Sequence, residues 1–95
     1  MSNEFRQKIA DFLKDRPVKR AFLFGSAARN EDDEQSNIDI LVELDYSKPI
    51  GLDFVRMKLE LEDLLNKRVD LLTSNSISKH LLPFIDSEKI LIYER

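Results

Sequence analysis

Three short segments of the sequence carry side chains that suit phosphate and metal-ion chemistry. Gly25-Ser26 follows an apolar run; a glycine lets the backbone approach a ligand closely, and the free amides at a helix start bind phosphate. Asn37 and Asp39 are two residues apart, so on a strand they share one face. Asp70 lies in an apolar stretch, where a carboxylate is costly unless it is partnered. If the strands that hold Asp39 and Asp70 are neighbours, their oxygen atoms and the phosphate cradle suit magnesium-assisted phosphoryl transfer.

Composition excludes several other classes of protein. The 95 residues, with Lys+Arg 15 and Asp+Glu 18, predict a single domain over 1–95. The absence of cysteine excludes disulfides and thiolate metal sites. The formal charge of -3 argues against direct nucleic-acid binding, which normally needs a basic stripe. No apolar run is long enough for a membrane span and no signal-peptide pattern is present, so we expect a cytoplasmic protein.

The helices and strands that must position these side chains follow from hydrophobic spacing. Residues 21–24 are apolar without alternation, which is typical of a central strand buried on both faces. Residues 30–37 are strongly polar and predict an exposed loop. The predicted strands cover residues 18–24, 38–44, 68–72 and 89–94. The predicted helices are one over 3–15 capped by Ser2 or Asn3, a helical turn over 26–29, and one over 52–66 with Leu59, Leu61, Leu64 and Leu65 in the core. A further helix is expected to carry Ile77, Leu81 and Leu82, and Pro83 bends or restarts it.

The connections between these elements predict the topology. A crossover helix between the second and third strands makes them parallel, and the short connection between the first two favours an antiparallel pair. The fold class is therefore α/β (α+β), with a mixed four-stranded sheet flanked by helices.

Each chemical segment also has a purely structural interpretation. Gly-Ser after a strand is usually a turn, and a single Asp at a strand edge is often a turn or cap residue. The acidic run over 31–34 is expected to be a solvated loop, and His80 a residue of a helix surface. The combination of the three segments, in this order and at this spacing, is more specific than any one of them.

Taken together, the segments resemble a known family over nearly the whole chain. Gly25-Ser26-Ala27-Ala28-Arg29, Ser36-Asn37-Ile38-Asp39-Ile40-Leu41-Val42 and Val69-Asp70-Leu71 are similar to the minimal nucleotidyltransferases of the DNA polymerase β-like superfamily. The resemblance implies a polymerase β palm-like fold and transfer of a nucleoside monophosphate from a nucleoside triphosphate to a hydroxyl. It also implies a two-ion Mg²⁺ site held by three carboxylates.

The resemblance implies roles for particular residues. Asp39 and Asp70 would be catalytic and would bind the metal together with position 37, and Asp70 would help to activate the attacking hydroxyl. The nucleotide would be bound by Gly25, Ser26, Arg29 and Ser36.

The chain departs from the family pattern at position 37, where Asn replaces an expected Asp. An amide offers a neutral oxygen, so the change is expected to weaken magnesium binding and to slow transfer. A lesser departure is Asn30, where family members often have Gly.

The acceptor site must also be supplied, because a chain of this length has little beyond the catalytic core. We expect another chain or a second copy to complete it. The resemblance implies a HEPN-type helical partner in a toxin–antitoxin pair, with AMP from ATP transferred to a hydroxyl of that protein or of a small molecule. The alternative is a catalytically impaired module that binds nucleotide or partner and neutralises the partner by contact alone.

Overall fold

The computed structural model describes residues 3–28 and 37–95. No helix in these ranges is long and apolar enough to cross a membrane. The elements are α1 (Asn3–Leu13), β1 (Val18–Phe24), α2 (Gly25–Ala28), β2 (Ile38–Leu44), α3 (Asp53–Leu65), β3 (Val69–Thr73), a 3₁₀ turn (Ser74–Ser76), α4 (Leu82–Glu88) and β4 (Ile90–Glu94).

The four strands form a mixed sheet in the order β3-β2-β1-β4. β1 is antiparallel to both β2 and β4, and β2 is parallel to β3 across the α3 crossover. The predicted mixed sheet, its parallel pair and its antiparallel first pair are therefore confirmed. The pairing register places Asp39 opposite both Phe24 of β1 and Asp70 of β3.

Helices α1 and α3 pack on one face of the sheet. Alternate residues of β2 point to this face, as the two-residue period of a strand requires. The apolar side chains that form this core are Ile9, Leu13, Val18, Ala21, Leu23, Ile38, Ile40, Val42, Leu44, Met57, Leu61, Leu65, Val69 and Leu71.

The opposite face of the sheet is also covered near its middle. Phe22 and Leu41 are buried although they alternate with the core residues. The Lys89 ammonium lies 4.4 Å from the centroid of the Phe22 ring, a cation–π contact. The prediction that residues 21–24 form a central strand is confirmed.

The expected core of α3 is partly wrong. Leu61 and Leu65 are buried, but Leu59 is 55% exposed and Leu64 is 43% exposed. A helix rotates by about 100° per residue, so the face set by Met57, Leu61 and Leu65 turns these two leucines away from the sheet. α3 ends at Leu65 and is followed by Asn66, whose φ of 53° is the left-handed conformation common after a helix.

The predicted helix carrying Ile77, Leu81 and Leu82 is partly wrong, because Ile77 and Leu81 are not helical, but the predicted restart at Pro83 is confirmed. A 3₁₀ turn and irregular chain precede α4, which begins at Leu82. Pro83 lies in the first turn of α4, where its missing N–H and fixed φ carry no penalty. His80 is exposed in the turn before α4 and not on a helix surface.

At the other end of the chain, α1 begins at Asn3 and ends at Leu13 instead of residue 15. Ser2, the other predicted cap, lies outside the described residues.

Candidate active site

Asp39 and Asp70 lie side by side on neighbouring strands. They are register partners in the parallel β2–β3 pair, and each alternates with buried core residues, so both side chains point away from the α1/α3 face. Asp39 is half-buried and Asp70 is exposed. The predicted juxtaposition of these two carboxylates is confirmed.

Asn37, immediately before β2, is in contact with the same pair. Its Nδ2 donates a hydrogen bond of 3.2 Å to Oδ2 of Asp70. An ionised carboxylate only accepts hydrogen bonds, so the NH₂ group of Asn37 must face Asp70. In this orientation the amide oxygen of Asn37 points away from Asp70.

Gly25 brings the end of β1 against Asp39. It has a φ of +67°, and a Cβ at this position would clash with Oδ2 of Asp39 and lie 3.3 Å from its Cγ. Glycine is required twice over, because the left-handed backbone disfavours other residues and Asp39 fills the space of a side chain. The backbone turn and the carboxylate are therefore packed as one unit.

A cavity of about 320 Å³ opens on the β3 side of this unit. One of its charged residues, Lys58 of α3, was not predicted from the sequence. Lys58 follows Phe54 by four residues and precedes Leu61 by three, which places it beside the core face of the helix. That spacing was the signal available in the sequence. The cavity is lined by Phe24, Asp39, Lys58, Asp70, Leu71 and Leu72.

Other predicted site residues remain predictions. Ser26 follows Gly25 in α2. Arg29 and Ser36 lie outside the described residues, as do Asn30 and the acidic run over 31–34.

The side chains present offer a limited ligand set for a metal ion. Asp39 and Asp70 supply carboxylates and Asn37 supplies an amide oxygen. Within residues 3–28 and 37–95, no group of three or more His, Cys, Asp or Glu side chains could hold a metal ion. Mg²⁺ is commonly bound by one or two carboxylates together with substrate phosphates, so these residues fit one such ion when a nucleotide is present.

A second carboxylate, Asp45, lies at the opposite end of β2 and is only 8% exposed. It accepts hydrogen bonds from Ser47 N at 3.0 Å, from Ser47 Oγ, and from Arg95 Nη1 at 2.6 Å. The Ser47 hydrogen bonds, followed by the Arg95 guanidinium, lower the pKa of Asp45 to about 2. Arg95 also donates to the carbonyl oxygen of Arg16 at 3.0 Å, so Asp45 ties the last residue of the sequence to the sheet.

A mixed sheet with paired carboxylates on adjacent strands, beside a glycine turn, defines the nucleotidyltransferase class of fold. The polymerase beta nucleotidyltransferase family model matches residues 7–95. The chain belongs to this family.

The names of similar proteins point to one kind of nucleotidyltransferase within this family. A protein from Methanocaldococcus jannaschii, provisionally named a protein adenylyltransferase, is 51% identical over 88 residues, covering 93% of this chain and 94% of the relative. The protein adenylyltransferase MntA of Thermococcus cleftensis is 33% identical over 75 residues, covering 79% of this chain and 75% of the relative. Both relatives therefore carry the name protein adenylyltransferase, the first of them provisionally.

Solved structures agree with the fold. A protein provisionally identified as a minimal nucleotidyltransferase superposes with a TM-score of 0.77 and 33% identity, covering 90% of this chain and 86% of that one. A complex of a tri-AMPylated Shewanella oneidensis HEPN toxin with an MNT antitoxin gives a TM-score of 0.75 at 22% identity, covering 100% of this chain and 74% of that one. The predicted polymerase β palm-like fold is confirmed.

Proposed function

We propose that this chain transfers AMP from ATP to a hydroxyl group of a partner protein. The observation that carries the proposal is the adjacency of Asp39 and Asp70, with the backbone of Gly25 packed against Asp39. The names of the homologues support the choice of reaction and of a protein as the acceptor.

The strand order suggests which side of the site each substrate occupies. Gly25 lies at the end of β1, Asp39 on β2 and Asp70 on β3, so the three follow one another across the sheet. ATP would bind on the Gly25 side, where Ser26, Arg29 and Ser36 are proposed to contact its phosphates. The acceptor hydroxyl would approach from the Asp70 side and the open cavity.

The transfer balances as a simple displacement. The acceptor oxygen forms a bond to the α-phosphorus of ATP, and the bond from that phosphorus to the bridging oxygen of the leaving group breaks. Pyrophosphate departs with the electron pair. The hydroxyl proton passes to the carboxylate of Asp70 as general base.

We propose Mg²⁺ as the cofactor, held by Asp39, Asp70 and the amide oxygen of Asn37. When bound, the ion would neutralise charge on the phosphates and on the leaving pyrophosphate. The residues themselves position the two substrates, which is the larger part of catalysis in phosphoryl transfer.

A HEPN-type protein is the proposed acceptor. Support comes from the superposition on an MNT antitoxin bound to a tri-AMPylated HEPN toxin. In this arrangement the chain is the antitoxin, and AMP on the partner is the means of silencing it.

A second candidate function is neutralisation of the partner by contact without transfer. The observation that favours it is Asn37, which leaves two carboxylates where the family has three and which is hydrogen-bonded to Asp70.

Transfer of labelled AMP distinguishes the two functions. The chain is incubated with α-³²P-ATP, Mg²⁺ and a HEPN-type protein from the same organism, beside the Asp39→Ala and Asn37→Asp variants. Label on the partner that Asp39→Ala abolishes supports the enzyme. Label with Asn37→Asp alone identifies an impaired enzyme. Tight partner binding without label from any variant overturns transfer and supports the contact function.

A further inference from the structure

The sheet face that carries Asp39 also carries a row of apolar side chains. Leu41 follows Asp39 by two residues on β2, so both point to this face. Leu41 is the register partner of Phe22 on β1 and of Leu72 on β3. Phe22 is in turn the register partner of Leu91 on β4. Because directly paired residues project from the same face, the row crosses all four strands beside the two carboxylates.

The two ends of this row are exposed, although its middle is buried. Phe22 and Leu41 are buried, whereas Leu72 on the edge strand β3 is 36% exposed and Leu91 on the edge strand β4 is 48% exposed. Three strand spacings, or about 14 Å, separate β3 from β4. A single small acceptor molecule would not cover both leucines, whereas a protein seated on this face would.

Helix α4 extends the exposed apolar surface on the β4 side. None of the seven residues that the structure places in α4 is buried, although the four residues 82–85 are apolar. Phe84 is 70% exposed, and Leu81, immediately before the helix, is also exposed. A helix of this length is not stable by itself in water and normally depends on packing of its apolar side chains. The apolar side of α4 therefore suits contact with another molecule.

This helix borders the candidate active site. Lys89, the residue after α4, lies over the Phe22 ring on the same face as Asp39. α4 also contacts α2, which begins at Gly25 against Asp39. Because α2 has four residues, it is only about 6 Å long. A protein whose hydroxyl reaches Asp39 and Asp70 would therefore be close enough to contact α4 as well.

A cation lies beside the apolar side chains. Lys79 is exposed two residues before Leu81, and it makes no ion pair within residues 3–28 and 37–95. A carboxylate on a docked protein would complement this charge at the rim of the contact, which is where charged groups of interfaces are found. The chemistry that fits is therefore an apolar protein surface bordered by an acid.

We propose that the acceptor protein docks on the exposed apolar side chains that flank the two carboxylates. This acceptor-docking surface consists of Leu72, Leu81, Phe84 and Leu91. The inference rests on the proposed adenylyl transfer, and it selects a protein instead of a small molecule as the acceptor.

The start of α3 supplies a matched control. Leu52 is 77% exposed, so it is as accessible as Phe84. It precedes a helix that packs on the opposite face of the sheet, at the Asp45 end of β2. A protein that docked on Leu52 would be turned away from Asp39, so Leu52→Ser should not affect the acceptor.

Affinity for the partner tests the surface. Binding of a HEPN-type protein from the same organism is measured by biolayer interferometry for the natural sequence and each variant. We expect Phe84→Ser to weaken binding about 30-fold, as loss of a central interface residue does, and Leu52→Ser to change it less than twofold. Leu72→Thr, at the other edge of the sheet, should weaken it about tenfold. Serine and phenylalanine have similar helix propensities, and the Tm of each variant verifies that the fold is retained.

Two further measurements identify a different occupant of the surface. Phe84→Ser should keep the full rise in Tm with ATP and Mg²⁺. A lost rise at unchanged partner affinity would assign Phe84 to the nucleotide and overturn the inference. Light scattering gives the oligomeric state. A dimer that Phe84→Ser converts to a monomer, again at unchanged partner affinity, would assign the surface to a second copy and overturn the inference.

Failure of the surface and failure of the transfer function give different results. Equal partner affinity for the natural sequence and Phe84→Ser overturns the surface, and AMP transfer is still possible. Reduced affinity in Phe84→Ser, without labelled AMP on the partner from any variant, supports the surface and overturns the transfer. No binding of the partner by the natural sequence overturns both the surface and the choice of partner.

Discussion

Strand β2 has a carboxylate near each end, and the two have different surroundings. Asp45 is buried and held by Ser47 and by the guanidinium of Arg95. Asp39 lies against Gly25 and beside Asp70, on the wall of an open cavity. At one end of β2, hydrogen-bond donors from Ser47 and Arg95 contact the Asp45 carboxylate. At the other end, the Asp39 carboxylate lies beside that of Asp70 on the neighbouring strand.

The different surroundings indicate different roles: Asp45 stabilises the fold, whereas Asp39 and Asp70 form the candidate active site. Hydrogen bonds and a cation lower the pKa of Asp45 to about 2, so its charge is satisfied inside the fold and holds the end of the sequence in place. Asp39 and Asp70 lie side by side on the wall of a cavity, an arrangement of carboxylates that suits a cationic ligand.

The largest expected effect is at Gly25. Gly25→Ala should weaken binding of ATP with Mg²⁺ roughly 10- to 100-fold, because the new Cβ displaces the Asp39 carboxylate from its position. Isothermal titration calorimetry measures the affinity.

Gly51→Ala is the matched control for Gly25→Ala. Gly51 also has a positive φ of +50°, but a Cβ there meets nothing within 4 Å. Both variants therefore carry the backbone strain of about 1–2 kcal/mol, and only one of them touches the site. Equal affinities for the two variants would contradict the assignment of Gly25 to the nucleotide site.

A smaller effect is expected at the other end of the strand. Asp45→Asn should lower Tm at neutral pH by about 5 °C, because the charged partner of Arg95 is lost. The folded pKa of Asp45, about 2, lies below its ordinary value of 3.8. Its stabilisation is therefore present above pH 4 and is lost as the pH falls toward 2.

Thermal melts from pH 7 to pH 2 measure this effect. The gap in Tm between the natural sequence and Asp45→Asn should stay constant down to about pH 4 and close below it. A gap that persists unchanged at pH 2 would show that the carboxylate charge is not its source.

The sheet was predictable because its signals are local. The apolar run over 21–24 identified the central strand, and a helix of suitable length between β2 and β3 required a parallel crossover. The α3 core was harder, because Leu59 and Leu64 are apolar yet exposed and composition alone does not give the rotation of a helix. Pro83 was ambiguous for a similar reason, since it is compatible with a kink and with a first turn.

The candidate site was predictable as far as strand pairing determines it. Once β2 and β3 are parallel neighbours, the register brings Asp39 to Asp70. The Asn37–Asp70 hydrogen bond and the position of Lys58 were not predictable, because both depend on side chains that meet across different elements. The same limit applies to Arg95, which reaches Asp45 from 50 residues away.

One measurement compares the two ends of β2 directly. The rise in Tm produced by millimolar ATP and Mg²⁺ is recorded for the natural sequence, Asp39→Asn and Asp45→Asn. Ligand binding to the folded state stabilises it in proportion to ln(1 + [L]/Kd), by about 2.7 kcal/mol at a hundredfold excess over Kd. We predict that Asp45→Asn starts from a lower Tm and keeps the full rise, whereas Asp39→Asn shows almost no rise above its own starting Tm. A full rise in Asp39→Asn, or no rise in the natural sequence, would contradict a nucleotide site at this end of the sheet.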